Sequence, residues 1–105
     1  MFPPLRLLVA EARQHGAIPV LYQTWGRRGG DPKISRDTFS KMNARLRAGY
    51  QAASANAGKL VVVPVGDAWE RQTPPVSLFM DDGSHPSPKG NDLTSAVFFQ
   101  TFFGL

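Results

Sequence analysis

Leu60-Val61-Val62-Val63-Pro64-Val65 is an unbroken apolar run rich in β-branched residues. A strand with one face in water alternates apolar and polar residues. A continuous run suits a parallel strand covered on both faces. Parallel neighbours cannot be joined by a tight turn, so such a strand implies a crossover, usually a helix. Both requirements are visible. Ala17-Ile18-Pro19-Val20-Leu21-Tyr22-Gln23 is a second short apolar run, with Pro19 near its start, where one ladder donor can be spared. A helical pattern lies between the two runs.

That middle helix is expected over about Thr38 to Ala57, with Asp37 as its cap and Gly58 as its stop. Phe39, Met42, Leu46, Tyr50, Ala53 and Ala57 form its apolar stripe, and Lys41, Arg45 and Arg47 lie off it, most simply in water. An earlier helix runs from about Pro4 to His15, with Leu5, Leu8, Val9 and Ala12 on one face and Gly16 after its end. Gly66 to Arg71 reads as a helical turn ended by Thr73-Pro74-Pro75. Val76 to Met80 fits either a short strand or an extended loop. Ser87 and Pro88 are good Ncap and N1 residues for a last helix reaching about Phe103. The order helix, strand, helix, strand, helix gives an α/β class with parallel strands.

At 105 residues the chain has room for one domain. Two strands make a poor sheet, however. The last helix carries Leu93, Val97, Phe98, Phe99, Phe102 and Phe103 around most of its circumference. A helix apolar all round needs neighbours on several sides, and this short chain offers few. The expectation is therefore that residues 1–105 form a single, incomplete α/β domain, its C-terminal part.

The absence of cysteine excludes a disulfide framework, a thiolate zinc site and a thiol nucleophile. No apolar run reaches the length of a membrane span, and the opening Met1-Phe2-Pro3-Pro4-Leu5-Arg6 does not carry a secretory-signal pattern. The net charge of +4 is dispersed; Arg27-Arg28 is its one tight cluster, in the long loop from Thr24 to Arg36. A nucleic-acid role through these two arginines is the weakest reading, and no nucleic-acid partner is expected.

The sharpest chemical feature is Asp82-Gly83-Ser84-His85. A carboxylate three residues before a histidine can accept a hydrogen bond from Nδ1 of the ring. Nε2 is then left to take a proton from a hydroxyl nucleophile and return it to a leaving group. Pro86 restricts His85 to extended backbone. The competing reading is that Asp82 and Ser84 merely form a turn and His85 is a surface residue. Asp81 and Asp82 with His85 lack a second His or Cys to complete a metal site, so no metal and no cofactor are expected. Trp25, at the end of the first strand, lines a substrate pocket or packs its loop onto the scaffold; Trp69 belongs to the core. His15, at the end of the first helix, is no catalytic candidate.

In these residues the sequence resembles the SGNH, or GDSL-type, hydrolase superfamily. Asp81-Asp82-Gly83-Ser84-His85-Pro86-Ser87-Pro88-Lys89-Gly90 is similar to that family's last block, and the Trp25 loop and Val65-Gly66-Asp67-Ala68-Trp69 are similar to parts of its second half. The resemblance implies a partial flavodoxin-like three-layer α/β/α fold. It also implies ester hydrolysis by a Ser-His-Asp triad in an esterase or lipase-like enzyme, with Asp82 orienting and His85 as general base. The substrate implied is a small-molecule or carbohydrate ester.

The departures are specific. The family's Gly-Asp-Ser block with the nucleophile is absent; Gly66-Asp67-Ala68 has alanine where serine would stand. The glycine block and the Gly-x-Asn-Asp block that supply oxyanion donors are also missing. None of Ser35, Ser40, Ser54, Ser77, Ser84, Ser87 and Ser95 sits in a sharp glycine-flanked strand-to-helix turn. The chain alone is thus expected to be inactive. The alternative is a non-catalytic interaction module or truncated product that self-associates through its apolar last helix.

Overall fold

A computed structural model describes residues 2–72 and 75–104 of the chain. Its elements are α1 (Phe2–Gln14), β1 (Val20–Gln23), α2 (Phe39–Asn56), β2 (Val61–Pro64), α3 (Val65–Arg71), a short 3-10 turn η1 (Pro75–Leu78) and α4 (Pro88–Phe103). The expected helix stop at Thr73-Pro74-Pro75 begins outside the described residues.

β1 and β2 pair in parallel, Val20 opposite Val61 and Gln23 opposite Pro64, with α2 as the crossover. This is the mixed α/β arrangement of a partial flavodoxin-like fold. The first strand is shorter than its apolar run. Pro19 has no N–H to donate, and Ile18 is left 87% exposed. The second is covered less fully than a continuous apolar run implies. Val63 is buried, whereas Val61, two residues earlier on the same face, is exposed, so cover on that face is lost toward the start of the strand.

Two details of α2 differ from expectation. Its cap is Thr38, whose hydroxyl accepts from the Lys41 N–H at 3.1 Å. Asp37 is drawn away by charge: both its oxygens accept from Arg45, at 3.0 and 2.6 Å, and the Asp31 N–H donates to it at 2.7 Å. Arg47 is likewise not left to solvent but donates to Asp67 and Glu70 of α3. Val76 to Met80 resolves into the end of η1 followed by a single antiparallel bridge, Phe79 to Pro86.

The core is Phe39, Val63, Val65, Ala68, Trp69, Leu78, Phe79 and Val97, gathered from α2, β2, α3, η1, the Phe79 bridge and α4. Trp69 is its centre, fully buried. Its indole stacks on Trp25 at 3.9 Å, meets Phe79 edge-on at 5.1 Å and donates to the Thr94 hydroxyl at 3.2 Å. Burying an indole of about 200 Å² contributes on the order of 5 kcal/mol, and the hydrogen bond removes the penalty of a dry N–H. α4 approaches this ring through Gly90; a Cβ there would stand 2.9 Å from the Trp69 ring and 2.3 Å from the Leu78 carbonyl oxygen. Ser87 caps α4 by accepting from Gly90 N–H, Pro88 takes the first turn, and Gly104 closes the helix at φ 69°.

Candidate functional site

Asp82, Gly83, Ser84 and His85 form the tip of a tight loop whose base is the Phe79–Pro86 bridge. Met80 N–H donates to the His85 carbonyl at 2.8 Å, Gly83 N–H to the Met80 carbonyl at 3.0 Å, and Ser87 N–H to the Leu78 carbonyl at 2.8 Å. The turn requires φ 70° at Gly83, a conformation that side-chain-bearing residues rarely adopt.

At this tip Asp82 works with both oxygens. Oδ1 accepts the backbone N–H groups of Ser84 and His85, each at 2.9 Å. Oδ2 lies 2.5 Å from His85 Nδ1. The ring hydrogen bond, followed by those two backbone donors, pulls the Asp82 carboxyl down to about 2. Asp82 is thus a carboxylate at neutral pH. A carboxylate cannot donate, so Nδ1 carries the proton, and Nε2 of the neutral ring has a free lone pair. The His85 side chain is 78% exposed and that of Asp82 49%.

The loop is held from outside by the segment after β1. The Trp25 indole N–H donates to the Ser84 carbonyl at 2.9 Å. Arg28 N–H donates to the Gly83 carbonyl at 2.8 Å, and its guanidinium reaches the Asp81 carbonyl at 3.2 Å. Trp25 therefore packs its loop against the scaffold. One ring face is covered by Trp69, the N–H is taken by Ser84, and Tyr22 lies tilted at 6.4 Å.

Asn43 is a structural residue that composition and stripe analysis passed over. It is buried in α2, accepts from Gly26 N–H at 2.7 Å, and donates to the Gly66 carbonyl at 2.7 Å and to Glu70 at 3.0 Å. One amide thus ties the loop after β1 to the start of α3. Its signal was present: position 43 is four residues after Phe39 and three before Leu46, a polar residue on the buried face. Gln23, also buried, donates to Asp67 at 2.8 Å, and Arg47 donates to the same Asp67 oxygen at 2.7 Å. Arg28 left no such signal, because nothing local tells a loop arginine what lies across from it.

Two of the serine hydroxyls are engaged by backbone carbonyls. Ser87 Oγ donates to the Ser77 carbonyl, and Ser54 Oγ to the Leu60 carbonyl. Among the described residues no group of three or more His, Cys, Asp or Glu could hold a metal ion, and no helix is long and apolar enough to cross a membrane. An apolar cavity of about 310 Å³ lies elsewhere, lined by Leu5, Leu21, Leu46, Tyr50 and Ala53 among others.

Parallel strands, a helical crossover and an imidazole hydrogen-bonded to a carboxylate in the loop before the last helix define an α/β protein with a candidate acid–base pair. No protein-family model matches the sequence, and neither does any curated protein. Among solved structures, the putative SGNH hydrolase from Slackia heliotrinireducens is similar, with a TM-score of 0.79 and 28% identity, over 96% of this chain and 55% of that one. The chain therefore shares its fold with this putative SGNH hydrolase over nearly its whole length, and spans about half the length of that relative.

Proposed function

We propose that this chain supplies the acid–base pair of an SGNH-type serine ester hydrolase. Nε2 of His85 removes the proton of a serine hydroxyl as its oxygen attacks the ester carbonyl. The imidazolium, steadied by Asp82, then gives that proton to the departing alcohol. Water hydrolyses the acyl-enzyme with His85 again as base. One observation carries this reading: a single carboxylate accepts the Nδ1 proton and two backbone N–H groups of the same turn, fixing ring tautomer and direction together. Two triad members alone, exposed on a surface, do not hydrolyse esters. The nucleophile and the oxyanion donors come from a segment beyond these 105 residues, which form an incomplete domain. The substrate is a small-molecule or carbohydrate ester, and Trp25 borders it.

The test joins this chain to the portion of the Slackia protein that it does not match and measures hydrolysis of p-nitrophenyl acetate and labelling by a serine-directed phosphonate. The chain alone should give neither. The joined protein should give both, with His85→Ala lowering turnover about 10⁴-fold. Equal turnover with and without His85 in the joined protein refutes the assignment. Turnover by the chain alone that vanishes in His85→Ala would move the nucleophile into it.

A second reading rests on α4, where Phe99, Phe102 and Phe103 are each more than half exposed. Such a stripe suits a contact surface for a second copy, and it is compatible with the first reading.

A further inference from the structure

We propose that Trp25 and Arg28 are positioning residues that hold the Asp82–His85 pair in register, a role that rests on reading this pair as a hydrolase dyad. The dyad stands in water, with neither side chain buried enough to be held by packing. An exposed carboxylate–imidazole hydrogen bond of this kind gains little from its own attraction, because water competes for both groups and both side chains lose freedom in forming it. Something else must order the loop that presents it.

Three backbone carbonyls of that loop are captured from one direction. Arg28 takes those of Asp81 and Gly83, and Trp25 takes that of Ser84. These carbonyls flank Asp82 on both sides and immediately precede His85. The guanidinium also covers Gly83, 3.5 Å from where a Cβ would be. The brace is itself fixed to the core at two points, by stacking of Trp25 on the buried Trp69 and by the hydrogen bond from Gly26 N–H to Asn43. A rigid core is thus linked through four consecutive residues, 25 to 28, to an exposed imidazole. Without the indole N–H and the guanidinium, the loop keeps only the Arg28 backbone contact and its own internal turn.

Nitrogen-15 correlation spectra of the histidine rings test this in the isolated chain, with no nucleophile or substrate needed. The wild type should show His85 mainly as the Nδ1–H tautomer, against the Nε2–H preference of a free neutral imidazole. Asp82→Asn gives the reference for a lost dyad. Trp25→Phe keeps the stacked ring and removes only the N–H. Combined with Arg28→Ala it should cut the Nδ1–H fraction several-fold and raise amide exchange at Gly83 and His85 about tenfold. Arg28→Lys, which still reaches one carbonyl, should recover part of the loss. The Trp69 indole signal, bonded to Thr94, should persist in each variant and reports that the fold is intact. The brace is refuted if the double variant keeps the wild-type tautomer and exchange, or if the wild type already shows Nε2–H. Should the spectra behave as expected while the joined protein proves inactive, the brace stands and the hydrolase reading falls.

Discussion

At the scale of single residues, two aspartates carry the clearest electrostatics. Asp37, its side chain 1% exposed, is held well below the usual carboxylate range by Arg45 first and by the Asp31 N–H second. Asp82 is lowered to about 2, chiefly by His85. A carboxylate lowered on folding stabilises the folded state fully above its unfolded value near 4, and this contribution is lost as pH falls through the folded value. Acid titration followed by circular dichroism should therefore show stability declining between about pH 4 and 2. Asp37→Asn should start less stable at pH 7 and fall less steeply over that window. A variant as stable as wild type at pH 7, with the same acid midpoint, would remove Asp37 from this account. The Asp82-x-x-His85 spacing was legible from sequence because three residues span one turn. The partners of Arg28, Arg45 and Arg47 were not, since a charged side chain on an outer face looks solvated until an acceptor from another element is brought opposite it.

Elements were legible where periodicity and punctuation agree. Ser87 and Pro88 mark the start of α4, and the structure uses both. The shortening of β1 followed from Pro19 and from the lack of a partner for Ile18, which no local pattern reveals. Glycines within helices separate the two kinds of constraint. At Gly49 in α2 an added Cβ would meet nothing within 4 Å, so Gly49→Ala should stabilise the chain by about 0.5–1 kcal/mol through helix propensity. Gly90 in α4 gains the same propensity, but its Cβ would meet the Leu78 carbonyl oxygen at 2.3 Å. Gly90→Ala should destabilise by about 1–3 kcal/mol or more, as overpacking does. Urea denaturation distinguishes the two, and equal effects would mean that α4 does not seat on Trp69 through this residue.

The whole molecule is a slab, 41 × 34 × 19 Å, with a radius of gyration of 14.9 Å where about 13 Å is usual for its length. Its accessible surface of 6923 Å² exceeds by about 1,100 Å² the roughly 5,800 Å² expected for a folded monomer of 11.5 kDa. That excess is comparable to one partner's share of a standard interface, about 800 Å². Part of it is the aromatic face of α4. Sedimentation velocity should show association rising with concentration, reduced by Phe99→Ser with Phe103→Ser. A wild-type chain that stays monomeric at high concentration would exclude that face as a contact.

What the amino-acid order determined alone is local. Two apolar runs and three helical patterns set the α/β class, and an aspartate three residues before a histidine set the carboxylate–imidazole contact, because backbone conformation and short-range hydrogen bonds depend on near neighbours. Only the tertiary structure decided that Trp25 and Arg28 reach across more than fifty positions of chain to hold that histidine's loop, and that Asn43 ties the segment carrying them to α3. Such contacts depend on where packing brings distant backbone atoms, and a carbonyl carries no mark in the sequence of the donor that will find it.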